Sequence, residues 1–393
     1  MQTKLKINNE EYKKTELGLL PKDWDVVEFE ECLSNKKIKI SKIQQLQFKK
    51  IGKYPIVDQS QELISGYWDN EEDLFTSPLP IIVFGDHTRT LKFIDFPFVC
   101  GPDGTKILIT NKSKAYPRFF YYYLKSLNIP SRGYNRHYSL LKDYLIPLPS
   151  LPEQQKIAFV LSTIQYAGEK NENVINSLKE LKKALMKHLF TYGAVSFEDA
   201  EKVKLKDTEI GKVPKDWEVK ELKNIATLQR GKDLPKQNWK EGTVPIVGSS
   251  GIMGHHNEAV CKAPGVITGR SGSIGKLIYL KEDYWPHNTA LYVKNFYENS
   301  PKFIYYLMHT LDFKKYATGV SVPTLNRNFI HMAKKATPSL AEQQKIASIL
   351  SAVDEKIEAE ENKRKALDEL FKSMLHNLMT AKVRVKDLVV ANG

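Results

Sequence analysis

The sequence predicts two α/β (α+β) globular domains alternating with two long α-helices, the helices pairing as an antiparallel coiled coil in an internal pseudo-two-fold repeat. Three observations predict it. PSLPEQQKIA, residues 149–158, returns as PSLAEQQKIA, residues 338–347. TELGLLPKDWDV from Thr15 returns as TEIGKVPKDWEV from Thr208, so the duplication spans whole domains and not one site. Downstream of each decamer, apolar residues fall at heptad spacing.

Residues 1–150 form the first domain, 151–193 the first long helix, 194–207 a connector, 208–339 the second domain, 340–380 the second long helix and 381–393 a tail. Each globular half reads as short strands broken by Gly and Pro, such as PIIVF, KILIT, GVIT and LIYL, plus one compact helix. In that helix Pro117 suits the first turn, and Phe120, Leu124 and Leu127 share a face. Pro301, Ile304, Leu307 and Leu311 repeat the arrangement. The spacing makes Tyr121, Tyr122 and Tyr123 core residues in preference to base-stacking ones.

The decamers start helices. Ser150 with Glu153, and Ser339 with Glu342, form S-x-x-E capping boxes, and Pro152 sits in a first turn where a missing N–H costs nothing. A heptad frame from Ile157 puts Ile157, Ile164, Asn171, Leu178 and Leu185 on one core position and Val160, Ala167, Val174, Leu181 and His188 on the other. The second helix opens with Ile346, Ile349 and Val353 and closes with Leu367, Leu370 and Met374. Its charged middle, EKIEAEENKRK, reads as out of phase around Ile357 and Glu360, which predicts a stutter or a solvated stretch. At 1.5 Å per residue, about 38 residues of helix span roughly 57 Å. A globular domain separates the two helices in the chain, which lets them pack antiparallel; a homodimeric coiled coil is the alternative.

The 393 residues, 41% hydrophobic, allow each domain its own core. No apolar run reaches membrane-spanning length and the polar start offers no secretory signal, so the expected location is cytoplasmic. Cys32, Cys100 and Cys261 are isolated, and neither a disulfide framework nor a metal site is readable. The formal net charge is +13. Residues 15–150 carry 18 Lys/Arg against 16 Asp/Glu and residues 208–339 carry 19 against 11, so the second domain is the more basic. Such an excess favours nucleic acid as partner.

The loop SRGYNRHY interleaves Arg132, Tyr134, Asn135, Arg136 and His137, supplying bidentate donors, an amide suited to adenine and stacking faces. Its counterpart ATGVSVPTLNRN, with Ser321, Thr324, Asn326 and Arg327, is built differently, which predicts two half-sites of different preference. GRSGSIGK, residues 269–276, fails the P-loop pattern at Arg270 and Leu277. It reads instead as a turn presenting Arg270, Ser271, Ser273 and Lys276 to phosphates, with Arg230 and Lys232 in support. GDHTRTLK offers His87, Arg89 and Lys92 in the same way. Adjacent His255 and His256 diverge in a strand and do not chelate. Asp103 with Lys106 lacks the second carboxylate a nuclease needs, and no adenine-methyltransferase Asn/Asp-Pro-Pro-aromatic tetrapeptide occurs. No catalytic machinery and no metal site are expected. A stand-alone nuclease and a coiled-coil adaptor for proteins are the alternatives.

LPKDW and VPKDW opening each half, the two decamers, and GRSGSIGK together resemble the DNA-specificity subunit of type I restriction-modification systems. The resemblance covers nearly the whole chain. It implies a non-catalytic subunit with two target-recognition domains, each reading half of a bipartite double-stranded DNA target, and helices that serve as ruler and as dock for two modification (methyltransferase) subunits. Restriction subunits are further implied partners. S-adenosylmethionine, ATP and Mg are implied on those partners and no cofactor on this chain. Gln154, Gln155, Lys156 and their copies Gln343, Gln344 and Lys345 are left over from capping and are the expected docking residues.

Overall fold

The computed structural model describes residues 11–36, 38–131, 133, 135–319 and 323–386. The chain divides into two compact units. Described residues up to Glu172 and from Lys363 onward form the first, and Asn173–Asn362 the second. Each unit therefore takes one globular domain and a stretch of each long helix.

In the first unit the hairpin Tyr12–Thr15/Gly18–Pro21 precedes a four-stranded sheet ordered Gly66–Trp68, Tyr54–Val57, Phe98–Cys100, Leu74–Phe75, and a three-stranded sheet ordered Thr105–Leu108, Ile81–Gly85, Leu91–Ile94. Tyr54–Val57 pairs in parallel with Phe98–Cys100. Helix α1 (Pro117–Ser126) covers this assembly, a single turn α2 (Tyr138–Leu141) follows, and Leu145–Leu148 pairs with Asp25–Glu28. The second unit repeats the plan. Its hairpin is Leu205–Thr208/Gly211–Pro214, and its sheets are ordered Thr227–Arg230, Ala290–Asn295, Gly265–Gly269, Leu277–Leu280 and Gly251–His256, Val244–Gly248, Trp285–Pro286. Glu218–Glu221 pairs with Lys334–Thr337. The long helices are α3 (Leu151–Tyr192) and, after α4 (Pro301–His309) and α5 (Arg327–His331), α6 (Leu340–Met379).

The predicted core face of α1 is correct and wider than its three-residue stripe: Phe119, Phe120, Tyr121, Tyr122, Tyr123 and Leu124 are all buried. In α4, Phe303, Ile304, Tyr306, Leu307 and Met308 are buried. Cys32 and Cys100 are core thiols, raised by burial to about 12 and about 11, and therefore inert as nucleophiles.

Within each unit the two helices run antiparallel. In the first, Ile157, Ala158 and Leu161 share a core with Phe371, Met374, Leu375, Leu378 and Met379. In the second, Leu185, Met186 and Leu189 share one with Ile346, Ala347 and Leu350. Lys179 pairs with Glu361 at 2.8 Å and Lys182 with Asp354 at 2.6 Å.

The register corrects the predicted one. The first seam, through Ile157, Asn171 and Leu185, is as expected, but the second runs through Leu161, Gly168, Ile175, Lys182 and Leu189. Val174 and Leu181 are 43% and 44% exposed. Positions i+3 and i+4 flank the same helix face. The seam actually used contains a glycine and a lysine, which disguise it in the sequence. At Gly168 an added Cβ would lie 2.6 Å from the Arg364 guanidinium, so the small residue admits a long one. In α6 the expected stutter is absent. Ile346, Leu350, Val353, Ile357, Glu360, Arg364, Leu367, Phe371, Met374 and Leu378 keep unbroken 3–4 spacing, all buried or half-buried, while Leu370 is exposed. The charged middle is inside the pattern: Lys356 pairs with Glu360 at 2.8 Å, and Arg364 with Asp368 at 2.5 Å and Glu172 at 3.6 Å.

Candidate nucleic-acid interface

The doubled motifs meet at the start of each long helix. Trp24, fully buried, donates its indole N–H to Glu153 at 3.2 Å, and Trp217 donates to Glu342 at 3.2 Å. A buried indole needs an acceptor, and the decamer glutamate supplies it. The capping box is thus only half right. Ser339 Oγ accepts from Glu342 N at 3.4 Å, but the glutamates turn toward the tryptophans instead of their own caps. The neighbouring glutamines are also internal. Gln154 accepts from Tyr116 N at 2.7 Å and donates to Lys114 O and Pro149 O, both at 2.9 Å. Gln343 accepts from Ser300 N at 3.0 Å and donates to Asn299 Oδ1 at 2.8 Å and Pro338 O at 3.0 Å. Each ties the long helix to the start of the compact one, so Gln154 and Gln343 are withdrawn as docking residues. Gln155, Gln344 and Lys345 are exposed, and Lys156 is half-buried, donating to Lys386 O at 2.5 Å.

One partner differs between the copies. Arg384, beyond α6, donates to Glu153 at 2.6 and 2.7 Å and to Asp23 at 2.9 and 3.2 Å. In the second unit the corresponding glutamate, Glu342, accepts from the backbone N–H of Ala194 at 3.1 Å. Arg384, in the segment that follows α6, thereby completes the first unit.

In the second unit, five loops converge at one edge of the sheets. Arg230 ends the strand Thr227–Arg230 opposite Leu291, which lies opposite Thr268; Arg270 follows two residues on and hydrogen-bonds through its backbone N–H to Thr289 O at 2.9 Å. Leu325 N donates to Arg270 O at 2.7 Å, bringing the Thr324–Asn326 segment alongside. The backbones are jammed together: a Cβ at Gly231 would lie 2.1 Å from His287 O, and one at Gly269 2.0 Å from Ser273 O. Such packing fixes the loops. Arg230, Lys232, Ser273, Lys276 and Arg327 are exposed, and Arg270, Ser271 and Thr324 half-buried. Arg230 Nε donates to Asn288 O at 3.3 Å and Lys276 Nζ to Ser250 O at 2.5 Å. Asn326 caps α5, accepting from Asn328 N at 3.0 Å, and so carries a structural role. Burial, and then the charge of Arg230, hold the Arg270 guanidinium below its usual range. Among the described residues, neither Arg230 nor Arg270 is paired with a carboxylate.

The same edge of the first unit is built with acids, of which the sequence singles out only Asp103. Lys92 is 5% exposed, donates to Glu62 O and lies 3.7 Å from Asp58; burial pushes its ammonium down against the pull of that carboxylate. Fully buried His137 is held by Asp86, whose carboxylate accepts from its backbone N–H at 2.9 Å, with the ring Nδ1 2.9 Å from Asp86 O. Lys92 and His137 therefore drop out as DNA contacts. Arg89, in the left-handed region at φ 61, directs Nη1 to Ile129 O at 2.9 Å, and half-buried His87 donates its N–H to Gln59 at 3.1 Å. Exposed Arg136 pairs with Asp103 at 3.1 Å, and exposed Asn135 lies beside it in the chain. Lys106, 3.6 Å from Asp86, is a further cation there. Gly85, Gly101 and Gly104 were the available signal, since a Cβ at any of them would strike the Asp58–Gln59 segment or Thr88 within 2.7 Å. Arg132, Tyr134 and Ser321 lie outside the described residues.

Among the described residues no group of three or more His, Cys, Asp or Glu is placed to hold a metal ion, and no helix is long and apolar enough to cross a membrane.

Comparison with known proteins places the chain in a family. The model of the type I restriction modification DNA specificity domain matches residues 21–180 and again 214–369. A putative type I restriction enzyme MjaX specificity subunit from Methanocaldococcus jannaschii is 28% identical over 426 aligned positions, covering 96% of this chain and 97% of that protein. The MjaVIII specificity subunit of the same organism is 27% identical over 278 positions, 63% of this chain and 64% of its own. The crystal structure of the S subunit of a type I restriction-modification system from M. genitalium has a similar fold, with a TM-score of 0.67 at 19% identity, covering 90% of this chain and 96% of that one. Matched twice by the domain model over most of its length, this chain belongs to the type I restriction modification DNA specificity family.

Proposed function

We propose that the chain is the subunit that reads DNA for a type I restriction-modification complex, with each unit recognising one half of a bipartite duplex target. It is a non-catalytic subunit of the cytoplasm. Two modification subunits, carrying S-adenosylmethionine, dock on it, and restriction subunits using ATP and Mg join them. Gln155, Lys156, Gln344 and Lys345 remain its docking candidates. The observation that supports the reading best is a duplicated scaffold, tied together by the same Trp–Glu and Gln–backbone bonds, that carries two chemically different loop edges. Phosphate contacts position a protein on DNA, whereas differing loop side chains specify sequence.

Expression of the chain with its modification subunit in a host lacking other methyltransferases, followed by methylation mapping, gives a split motif with a fixed gap. Removing one heptad from each helix around Asn171 and Arg364 shortens the gap and leaves both half-sites intact. Cleavage of plasmid by the purified chain with Mg²⁺ alone would instead favour a nuclease.

A further inference from the structure

We infer that the second unit recognises guanine in its half-site through the guanidinium pair of Arg230 and Arg270, while Lys276 holds the phosphate backbone. The inference rests on the DNA-reading function proposed above and says which base chemistry one half of it uses.

Four features carry it. Arg230, Leu291 and Thr268 lie in one row across three strands, and Arg270, two residues after Thr268 and one past the end of its strand, continues the antiparallel bonding through its N–H to Thr289 O, so the alternation of the pleat puts both arginines on one side. Neither meets a carboxylate among the described residues, and the charge of Arg230 is felt at Arg270. Two guanidiniums gathered without an acid are satisfied by acceptors brought from outside. Guanine offers N7 and O6 side by side in the major groove, the geometry a planar guanidinium fork fits.

Rigidity distinguishes this pair from ordinary surface cations. Arg270 is half-buried, with its own N–H and C=O bonded to Thr289 and Leu325, between glycines at 269 and 272. Gly269 tolerates no side chain against Ser273 O, and Gly272 has φ +76. Arg230 is steadied by Asn288 O at 3.3 Å. A guanidinium rising from a backbone held in this way reaches a base edge from a fixed starting point, which lowers the cost of ordering it on DNA. Lys276 has a compact, rotatable ammonium and is suited to a phosphate. Among the described residues of the first unit this arrangement is absent: Arg136 is paired with Asp103 and Arg89 is turned to Ile129 O.

The test maps methylation in a host co-expressing the full chain with its modification subunit, for the wild type and for Arg230→Lys, Arg270→Lys and Lys276→Ala. Replacing residues 15–150 with another first domain identifies which half-site belongs to the second unit. That half contains a guanine in the wild type. Each Arg→Lys variant keeps its charge and loses discrimination at a guanine of that half by about tenfold or more, while the other half stays unchanged and certifies folding. Lys276→Ala lowers methylation evenly over all sequences. A second half-site without guanine overturns the inference. So do Arg→Lys variants that weaken every site equally, which would make both arginines phosphate contacts. A wild type that yields no split motif overturns the DNA-reading function itself, and this inference with it.

Discussion

In the first unit Lys92, Lys106 and Arg136 each approach a carboxylate, whereas in the second Arg230 and Arg270 end neighbouring strand positions with no carboxylate partner among the described residues. The starts of α3 and α6 show the reverse pattern, with the same tryptophan, glutamate and glutamine making the same bonds in both copies. The difference separates scaffold from reader. What the chain repeats builds the base of each helix, and what it varies faces outward.

The shared base predicts equal and large losses. Trp24→Ala and Trp217→Ala each remove a buried indole and take one donor from a glutamate, at about 4 kcal/mol, measured as exchange protection of the affected unit. A loss in one unit only would break the equivalence of the copies. The helix register comes next: Leu161→Ala and Leu189→Ala cost about 3 kcal/mol each, and Val174→Ala and Leu181→Ala under about 0.5. Urea midpoints in the opposite order would restore the i+3 seam.

The copies separate at the glutamates. Glu153→Gln leaves the Arg384 guanidinium short of its main partner and costs about 3 kcal/mol, whereas Glu342→Gln, facing two neutral N–H donors, costs about 1. Adding Arg384→Met to Glu153→Gln recovers most of the first loss in a double-mutant cycle.

The smallest effect is one of pH. His331 Nε2 accepts from Leu228 N at 2.8 Å and must be neutral to do so; burial, then Arg327 and Lys223, lower its pKa from the ordinary 6.5. Its contribution is complete above that value and lost as pH falls below it. Asp23, held low by the hydrogen bond from Arg384, contributes above the ordinary carboxylate value of 3.8 and is lost below it. The second unit therefore weakens first on acidification. His331→Gln, which keeps an acceptor and cannot titrate, flattens that early slope in exchange measurements between about pH 6.5 and 5.

The fold was legible in the sequence because duplication prints it twice: PKDW and EQQK mark the same places in each half. The helix phase was half legible, since Gly168 and Lys182 occupy seam positions where an apolar pattern gives no sign of them. The site was least legible. Lys92 and His137 look like contacts in a basic stretch, and only the tertiary approach of Asp58 and Asp86 takes them inside. Gln154 and Gln343 misled for the same reason, since an amide left over from capping can serve a distant backbone as well as a partner. Arg230 and Arg270 stand 40 residues apart, and strand pairing alone sets them at one edge of the same sheet.

The central claim, two independent readers on one repeated scaffold, is tested most directly by exchanging residues 15–150 for the first recognition domain of a relative and mapping methylation beside the wild type. One half of the motif changes, and the other half and the gap stay as they were. If both halves change, the units do not read independently and the account fails.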